Sequence, residues 1–418
     1  MSYGWDAIVV GAGPGGAAVA TLLARDGWRV ALLDAAHFPR QKLCGEHLAA
    51  GAQPLLEALG VAEEVRNHAL SIEKISLIAS PTQRACVRST ANDCRSPVAI
   101  DRYRFDEILV NLAIRAGADF RPGSRIRSVL IDEGAVRGVV CRGLPRPSQS
   151  EILTAPVVIA ADGRDSAIAR QTGKVFRHGP PLVGFKQHFA PPAGDQESDV
   201  RELAMYSLPG GYAGVAPVQD GTLNVCGVVP RRLFGSAASG FQQALGQWLA
   251  ASPGLQSLLS RRASSHAWLT MANVQTQRAH PVMPGTLYVG DAAGTIEPFT
   301  GQGMTMALAS AWMAYRVLAR ALAGRPANAL DQQRYAACWR SAFGPRVRMA
   351  SAIGRLLRHP RTLQTMMLVE HLGNDLANKI FATVYRSIPL PQRRMAALIE
   401  PGCSLPASAI TASGTTIR

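Results

Sequence analysis

The sequence has few lysines, few aromatic residues and no long apolar stretch. Only five of its 44 basic residues are lysine, and aromatic residues make up 6% of the 418. No basic run is interleaved with aromatic residues, which argues against a nucleic-acid partner. The longest apolar helix candidate, residues 303–315, is shorter than the roughly 20 residues that a membrane span requires. Any membrane contact would therefore be peripheral.

The cysteines lack the spacing of a metal or disulfide framework. There are seven, with no CxxC pair and no zinc spacing, so we expect a reduced, cytoplasmic chain without a metal site. No cationic segment precedes the first apolar stretch, and a signal peptide is not predicted. The net charge is +15, the basic residues being spread along the chain. Its length favours two domains with a helical extension.

The first forty residues carry the clearest pattern. An apolar strand, Trp5 to Val10, leads into Gly11-Ala12-Gly13-Pro14-Gly15-Gly16 and a helix to Arg25. A second apolar strand ends at Asp34, about 20 residues after the glycines, where a dinucleotide fold places the acid for the ribose hydroxyls. Gly11 allows the turn, Gly13 lets the backbone approach a pyrophosphate, and Gly16 lets helix and strand pack closely. The pattern predicts a bound dinucleotide.

Two later segments have the same form, an apolar strand followed by glycine and aspartate. They are Ala161-Asp162-Gly163 and Gly290-Asp291. Between them, residues 183–229 alternate like strands with glycine and proline turns, and no helix fits before residues 241–259. Elsewhere we predict a helix over 48–65 interrupted at Pro54 and Gly60, and a hairpin turning at Glu133-Gly134. A long helix is predicted from Gly301 to Ala323.

Three such segments in this order resemble a flavoprotein superfamily that includes aromatic hydroxylases of the para-hydroxybenzoate type, geranylgeranyl reductases and flavin-dependent halogenases. The resemblance covers residues 3–325 and implies an FAD-dependent oxidoreductase. It assigns the residues of the first segment to the ADP half of FAD, those of the other two to the rest of the cofactor, and arginines near them to its phosphates. The cofactor-binding residues implied are Gly11, Gly13, Gly16, Asp34, Arg40, Arg102, Asp162, Gly163, Gly290, Asp291, Gly301 and Gly303.

One branch of the superfamily matches better than the others. The segment Pro39-Arg-Gln-Lys-Leu-Cys44-Gly-Glu46 resembles the geranylgeranyl-reductase pattern, in which a Lys-x-Cys-Gly stretch lines the flavin. Gly294 stands where hydroxylases carry histidine. Glycines 301 and 303, before a helix, would let backbone amides approach the flavin ring. Cys44 is then either a proton donor or a small buried packing group.

Other residues depart from that branch. The reductase motif Tyr-x-Trp-x-Phe-Pro corresponds here to Tyr212-Ala-Gly-Val-Ala-Pro217, with Gly214 and Ala216 replacing the two aromatic residues. The halogenase Trp-x-Trp-x-Ile-Pro motif is absent. Tyr212 is the second catalytic candidate, and the further polar groups expected in the substrate cavity are Tyr206, His188 and Asn224. Reduction of a carbon–carbon double bond is narrowly favoured, and oxygenation of an aromatic or polyketide-type substrate is the close alternative. Halogenation and a non-catalytic escort role rank lower.

The expected fold is α/β (α+β), a Rossmann-like FAD-binding domain with an inserted antiparallel β-sheet substrate domain and a C-terminal helical extension. The domains predicted are 1–70, 97–175 and 280–325 for FAD, and 71–96 and 176–279 for an apolar, isoprenoid- or polyketide-like substrate. NAD(P)H is expected to visit transiently as donor, because no second glycine motif exists. Residues 326–400 should be helical and 401–418 disordered. Arginines between 346 and 358 suit either a membrane-surface helix or a helix packed on the core.

Overall fold

The fold, which two large β-sheets organise, is described from a computed structural model. It describes residues 3–88, 96–142, 150–174, 177–178, 180–192, 201–234, 241–264, 267–274, 276–277, 280–319, 328–359 and 361. The strands of this part are β1 (Ala7–Val10), β2 (Val30–Leu33), β3 (His47–Leu48), β4 (Leu70–Ser71), β5 (Lys74–Ser80), β6 (Gln83–Arg88), β7 (Val98–Ala99), β8 (Asp119–Arg121), β9 (Ile126–Asp132), β10 (Ala135–Arg142), β11 (Ser150–Thr154), β12 (Val158–Ala160), β13 (Arg177–His178), β14 (Leu182–Phe189), β15 (Glu202–Leu208), β16 (Gly211–Pro217), β17 (Leu223–Pro230), β18 (Leu269–Met271), β19 (Thr276–Gln277), β20 (Val282–Met283) and β21 (Thr286–Tyr288).

Helices cover both sheets. They are α1 (Pro14–Arg25), α2 (Gln53–Leu59), α3 (Ala62–Asn67), α4 (Arg102–Arg115), α5 (Ala167–Gln171), α6 (Phe241–Leu249), α7 (Pro253–Ser260), α8 (Gly303–Leu318) and α9 (Ala329–Leu357). Short 3₁₀ turns occur at Ala50–Ala52, Arg231–Phe234, Gly290–Ala292 and Pro298–Thr300. None of the helices in the described residues is long and apolar enough to cross a bilayer.

The first sheet has six strands in the order β20-β21-β12-β1-β2-β8 and is parallel except at β20. Its central strands are apolar and buried along their whole length, as expected for a parallel sheet covered on both faces. Helix α1 follows β1 directly, and its residues 14–24 are all buried. Pro14 lies in its first turn, where the missing N–H leaves no helix hydrogen bond unmade.

The second sheet has seven strands in the order β18-β14-β17-β16-β15-β5-β6. Its strands come from two separate stretches of chain, residues 74–88 and 182–271. The expectation of a purely antiparallel sheet is wrong, because β5 pairs with β15 in parallel. The earlier hairpin β5–β6 reaches the sheet by a long connection, so its direction is not restricted by a tight turn.

Alternate residues of this sheet face two different layers. One face packs under α6 and α7 around Phe185, Leu245 and Trp248. The other face carries Lys186, Cys226 and Tyr212 and contacts the loop after β2, where Leu43 lies against Gly184. Because side chains alternate along a strand, neighbouring residues of β14 belong to different surroundings.

Several local predictions are confirmed and others are wrong. The hairpin β9–β10 turns at Glu133-Gly134 with φ of 47° and 72°, as a turn with two left-handed residues requires. The helical stretch predicted over 48–65 is confirmed in α2 and α3, and so is its interruption at Gly60, which ends α2 with φ of 77°. Its predicted start is wrong, because Leu48 lies in β3 and a 3₁₀ turn precedes α2. Pro54 does not interrupt a helix there, because it lies in the first turn of α2.

The C-terminal predictions are tested only in part. Helix α8 begins at Gly303 and ends at Leu318, and α9 confirms helix from 329 to 357. Residues 320–327 and 362–418, including the predicted disordered tail, lie outside the described residues. Among the arginines of α9 and the segment after it, Arg348 is exposed, whereas Arg358 is buried beside Glu297 with an Nη1–Oε1 distance of 2.9 Å. Arg358 therefore follows the core-packing interpretation.

The turn between β20 and β21 offers a test of the packing around the first sheet. Gly285 has φ of 76°, and an added Cβ would lie 2.0 Å from the carbonyl oxygen of Val136. We expect Gly285→Ala to lower the free energy of unfolding by about 3 kcal/mol, from left-handed strain plus backbone overlap. Urea unfolding measures it.

Gly173→Ala is the matched control. Gly173 has a similar φ of 69°, but its added Cβ would meet nothing within 4 Å. It should lose only about 1 kcal/mol. Equal losses for the two variants would contradict the close contact at Gly285.

Candidate FAD and substrate site

The three glycine–aspartate segments lie at one edge of the six-stranded sheet. Strands β1, β12 and β21 are parallel neighbours, and each segment follows the carboxyl end of its strand. Strand β2, which leads to Asp34, pairs on the other side of β1. The chain order therefore reverses at β1, and such switch points are where open α/β sheets bind ligands.

The glycines of the first segment have different surroundings. Gly11 has φ of 99°, and an added Cβ would lie 2.4 Å from the carbonyl oxygen of Ala161. A Cβ on Gly16 would lie 1.8 Å from the carbonyl oxygen of Gly11. An added Cβ on Gly13, by contrast, would meet no described atom within 4 Å, and Gly13 precedes α1 without a side-chain cap. Two glycines thus pack the turn, and the third faces free volume at a helix N-terminus.

Asp34 is held rigidly beside this turn. Its Oδ2 accepts a hydrogen bond from the backbone N–H of Ala12, and its Oδ1 accepts one from Ala36, both at 2.8 Å. The carboxylate retains further lone pairs, because each oxygen can accept more than one hydrogen bond. Its position suits the predicted contact with ribose hydroxyls.

Basic side chains gather next to Asp34. Arg102, the first residue of α4, donates to both carboxylate oxygens of Asp106 at 2.7 Å, and Arg40 Nη1 lies 3.0 Å from Asp106 Oδ2. Burial lowers the pKa of Lys42, and the charges of Arg40 and Arg102 lower it further. A cluster in which cations repel one another is suited to an anion such as a phosphate.

The second and third segments meet across the edge of the sheet. Asp162 Oδ2 accepts the N–H of Ala167 at 2.7 Å, while its Oδ1 is buried without a hydrogen-bond partner. Burial raises the pKa of Asp162. Asp291 Oδ2 lies 3.6 Å from a guanidinium nitrogen of Arg164. Gly163 and Gly290 have φ of 80° and 62°, a conformation that favours glycine.

Glycines 301 and 303 begin α8 beside a buried histidine. An added Cβ on Gly301, whose φ is 62°, would lie 2.4 Å from Nδ1 of His47, whereas one on Gly303 would meet nothing within 4 Å. His47 hydrogen-bonds to the Gly301 backbone, and burial lowers the pKa of His47 to about 4. At neutral pH the imidazole is therefore uncharged and holds the loop at the N-terminus of α8.

The loop carrying Cys44 is fixed from several sides. Asn224 Nδ2 donates to the Cys44 carbonyl oxygen at 3.0 Å, and the Glu46 N–H donates to Cys44 Sγ at 3.4 Å. The Arg102 side chain hydrogen-bonds to the Cys44 side chain. Cys44 thus lies between this cationic cluster and the seven-stranded sheet.

Two residues after Cys44, the buried carboxylate of Glu46 contacts two ionisable side chains of β14, Lys186 and His188. We call these three residues the Glu46 cluster. Lys186 donates to Glu46 Oε1, and His188 Nε2 lies 2.8 Å from Glu46 Oε2. Burial would raise the pKa of Glu46, but His188 and Lys186 outweigh it and lower it to about 2. Ligand-type atoms of Glu46, Asp101 and His188 lie within 4.8 Å of one another, and the Lys186 ammonium already neutralises this carboxylate.

The site-facing surface of β16 is shaped by Tyr212, Gly214 and Ala216. Tyr212 packs edge-on against Phe299, with ring centroids 6.4 Å apart, and burial raises its pKa. The two small residues leave the sheet beside Tyr212 without bulky side chains. The expectation that Tyr206 lies with Tyr212 in the substrate cavity is wrong, because Tyr206 belongs to the opposite face of the sheet, in the cluster under α6 and α7.

The edge of the six-stranded sheet fits FAD. Gly13 and Gly303 both face open space, at the N-termini of the two helices α1 and α8. Buried Oδ1 of Asp162 and Oγ1 of Thr305 have no hydrogen-bond partner among the described residues, and polar groups of a cofactor could supply one. A cationic cluster suited to phosphates lies next to Asp34, with Arg40 Nη2 4.0 Å from Asp34 Oδ2. The FAD binding domain family matches residues 5–340. This chain belongs to that family.

Two known relatives are similar to this FAD-binding chain over most of its length. It is 25% identical over 392 residues to conditioned medium factor receptor 1 of Dictyostelium discoideum, covering 88% of this chain and 74% of the relative. It is 26% identical over 388 residues to digeranylgeranylglycerophospholipid reductase 2 of Methanopyrus kandleri, covering 89% and 91%. The resemblance to the reductase and hydroxylase superfamily is confirmed, and the chain is an FAD-dependent oxidoreductase.

A solved structure shows the same fold. The flavin-dependent brominase Bmp2 superposes with a TM-score of 0.74 at 17% identity, covering 91% of this chain and 93% of that structure. At this level of identity the similarity concerns the fold. It supports the mixed α/β architecture of the flavoprotein.

Sequence reasoning missed the Glu46 cluster and His47. Lys186 and His188 stand two apart on one strand, and two polar residues at that spacing share a face of the sheet. That signal was available, but the carboxylate partner, Glu46, lies 140 residues before Lys186 and 142 before His188 in the chain. Nothing local indicates such a pair.

The glycines of the first segment separate cofactor binding from folding. We expect Gly13→Ala to leave the stability of the cofactor-free protein within about 0.5 kcal/mol, because its Cβ meets no protein atom. Its affinity for FAD should fall at least about tenfold, because the Cβ would occupy the space predicted for the pyrophosphate. Flavin fluorescence titration measures that affinity.

Gly16→Ala provides the contrast, since its Cβ would overlap the Gly11 carbonyl. It should destabilise the cofactor-free protein itself in urea. If Gly13→Ala kept full affinity for FAD, the assignment of Gly13 to the cofactor would be wrong.

His47 predicts a pH dependence of stability. Its folded pKa of about 4 lies below the ordinary 6.5, so the unfolded chain takes up the proton first. Stability should therefore fall by up to about 3 kcal/mol as pH drops from 6.5 to 4. His47→Gln should lose this slope in urea unfolding, and exposed His37→Gln should keep it. Glu46 adds a separate loss only between pH 4.5 and about 2. An unchanged slope in His47→Gln would contradict the neutral buried imidazole.

Proposed function

We propose that this flavoprotein reduces carbon–carbon double bonds of an apolar, isoprenoid-like substrate. The observation that carries the proposal is the Cys44 loop, which is held between the cationic cluster and the seven-stranded sheet. The reductase pattern of residues 39–46 is complete here, and Asn224, Arg102 and the Glu46 N–H each contact Cys44. A relative with almost the same length is named a digeranylgeranylglycerophospholipid reductase.

The surface opposite this loop supports an apolar substrate. A cluster of Leu182, Tyr212, Val228 and Val274 lies on the site-facing side of the sheet, with Phe299 packed against it. Gly214 lies on the same side, between Tyr212 and Ala216. Burial of an isoprenoid chain against such a surface is favourable in proportion to the apolar area removed from water.

The residues of the chain have distinct roles in this proposal. FAD, reduced by NAD(P)H or another donor, supplies hydride. Saturating a double bond also needs a proton at the second carbon, and we assign that proton to the Cys44 thiol. Tyr212 orients the substrate, because its hydroxyl remains protonated in this buried position. The free N–H groups at the start of α8 face the region predicted for the flavin ring and would stabilise negative charge there.

The proposal includes the division of the chain. Residues 1–70, 97–175 and 280–325 would bind FAD, and 71–96 and 176–279 would bind substrate. The seven-stranded sheet, drawn from the second set, supports this division. Peripheral contact with a membrane through exposed arginines of α9 is part of the same proposal and would bring the enzyme to an apolar substrate.

Oxygenation is the second candidate. Gly214 and Ala216 replace the aromatic residues of the reductase motif, and that observation favours a wider cavity and a fused-ring substrate. Oxygen chemistry on reduced flavin needs a pocket from which water is excluded. The buried Tyr212–Phe299 pair at the cavity wall is compatible with either reaction.

An anaerobic experiment separates the two reactions. Photoreduced enzyme is mixed with geranylgeranyl diphosphate without oxygen, and flavin absorbance and product mass are followed. We expect the flavin to reoxidise and the product to gain hydrogen. A flavin that stays reduced until oxygen enters, with an oxygenated product, would replace the proposal by the second candidate.

The proton donor is tested by two variants. Cys44→Ala should keep FAD and lose turnover by about 10²-fold, the typical contribution of a positioned acid. Tyr212→Phe should lose less than about tenfold and mainly raise KM, because it removes only an orienting group. Full turnover in Cys44→Ala would remove Cys44 from the proton-donor role.

A further inference from the structure

Two consecutive residues connect the seven-stranded sheet to the loop at the start of α8. Glu46 reaches Lys186 and His188 on β14, whereas His47, in β3, contacts Gly301. Both side chains are buried, at 0% and 4% exposure. Any displacement of the sheet against Glu46 must therefore also act on the backbone that carries His47.

The backbone of Glu46 is in an uncommon conformation. Its φ is 57°, in the left-handed region that residues with a Cβ rarely adopt. Such conformations persist where surrounding contacts determine them, and they concentrate at functional sites. At Glu46 the contacts are numerous, because its Oε1 also accepts the Arg102 N–H at 3.1 Å and its carbonyl accepts the Ile100 N–H at 2.9 Å.

The charges around Glu46 make the connection rigid. Lys186 Nζ also donates to Gln41 Oε1 at 3.1 Å and to the Lys42 carbonyl at 3.3 Å. It therefore ties both ends of the segment 41–46 to β14. Separating the buried Glu46 carboxylate from Lys186 would strongly destabilise the folded protein, so the sheet and the segment 41–46 are held in one arrangement.

The contact between His47 and Gly301 is close. An added Cβ on Gly301 would overlap the imidazole, and the His47 ring hydrogen-bonds to the Gly301 backbone. Gly301 is separated from the first residue of α8 by Gln302 alone. The His47–Gly301 contact therefore fixes the backbone next to the α8 N-terminus, beside the region predicted for the flavin ring.

We propose that Glu46 and His47 are positioning residues that set the environment of the flavin through the contacts Lys186–Glu46 and His47–Gly301. The substrate-facing sheet and the flavin loop are thereby coupled, and a substrate that shifts β14 changes the flavin's tendency to accept electrons. This inference rests on the proposed placement of FAD and substrate, but not on which reaction follows.

The test uses the holoenzyme without substrate. Glu46→Gln keeps the shape and removes the charge, and His47→Gln removes the imidazole. Each should change the visible flavin spectrum and shift the equilibrium with a redox dye by about fivefold or more. Because both act through one connection, the double variant should shift it no further than the larger single change. Glu202→Gln, which removes an ion pair with Lys74 and Arg84 on the same sheet, is the control and should match wild type.

Several outcomes would overturn the inference. A Glu46→Gln enzyme that melts earlier but keeps the wild-type spectrum and dye equilibrium would show a purely structural role. Additive effects in the double variant would show that the residues act separately. If Glu46→Gln does not fold, His188→Gln, which removes one partner of the carboxylate, takes its place with the same expected shift. Geranylgeranyl diphosphate should shift the dye equilibrium of the wild-type enzyme but not that of Glu46→Gln. A variant that only loses turnover, with an unchanged dye equilibrium, bears on the proposed reaction and not on this coupling.

Discussion

The close approach of Gly11 to the end of β12 is the constraint on which the rest of the site depends. With no Cβ at Gly11 or Gly16, the backbone of the first turn lies against Ala161 and the N-terminus of α1 comes up to the sheet edge. Any larger residue would push α1 away from β1 and β12. At Gly11 and Gly16 backbone atoms occupy the space that a Cβ would need, whereas at Gly13 that space is open.

The second sheet is joined to the six-stranded sheet's edge through the loop that follows β2. Its strand β14 presents Lys186 and His188 to the loop that follows β2, and a buried carboxylate holds the two parts together. Removing charges from water is costly, so this arrangement contributes less to net stability than to fixing one geometry. The loop from Arg40 to Glu46 consequently contacts Arg102 and the sheet and, through His47, the residues that precede α8.

The local patterns were predictable because each depends on neighbours in sequence. The glycine turn, its strand and helix, the acid at Asp34 and the turn at Glu133-Gly134 follow from backbone conformation and apolar periodicity. The predicted start of the helical stretch 48–65 was wrong for the opposite reason. Its apolar residues suit a helix, but Leu48 pairs with Val98 in a sheet, and that pairing depends on a distant segment.

The sequence alone determined the glycine turn after β1 and predicted a dinucleotide site at three strand ends, because conformational limits on glycine and buried strands act locally. Only the tertiary structure decided which tyrosine lies on the side of the sheet that contacts the Cys44 loop and which residue pairs with Lys186. A strand residue faces one side or the other according to its register, and register depends on long-range pairing. The same holds for Glu46, whose role became visible only when two strands and a loop, far apart in the chain, were brought into contact.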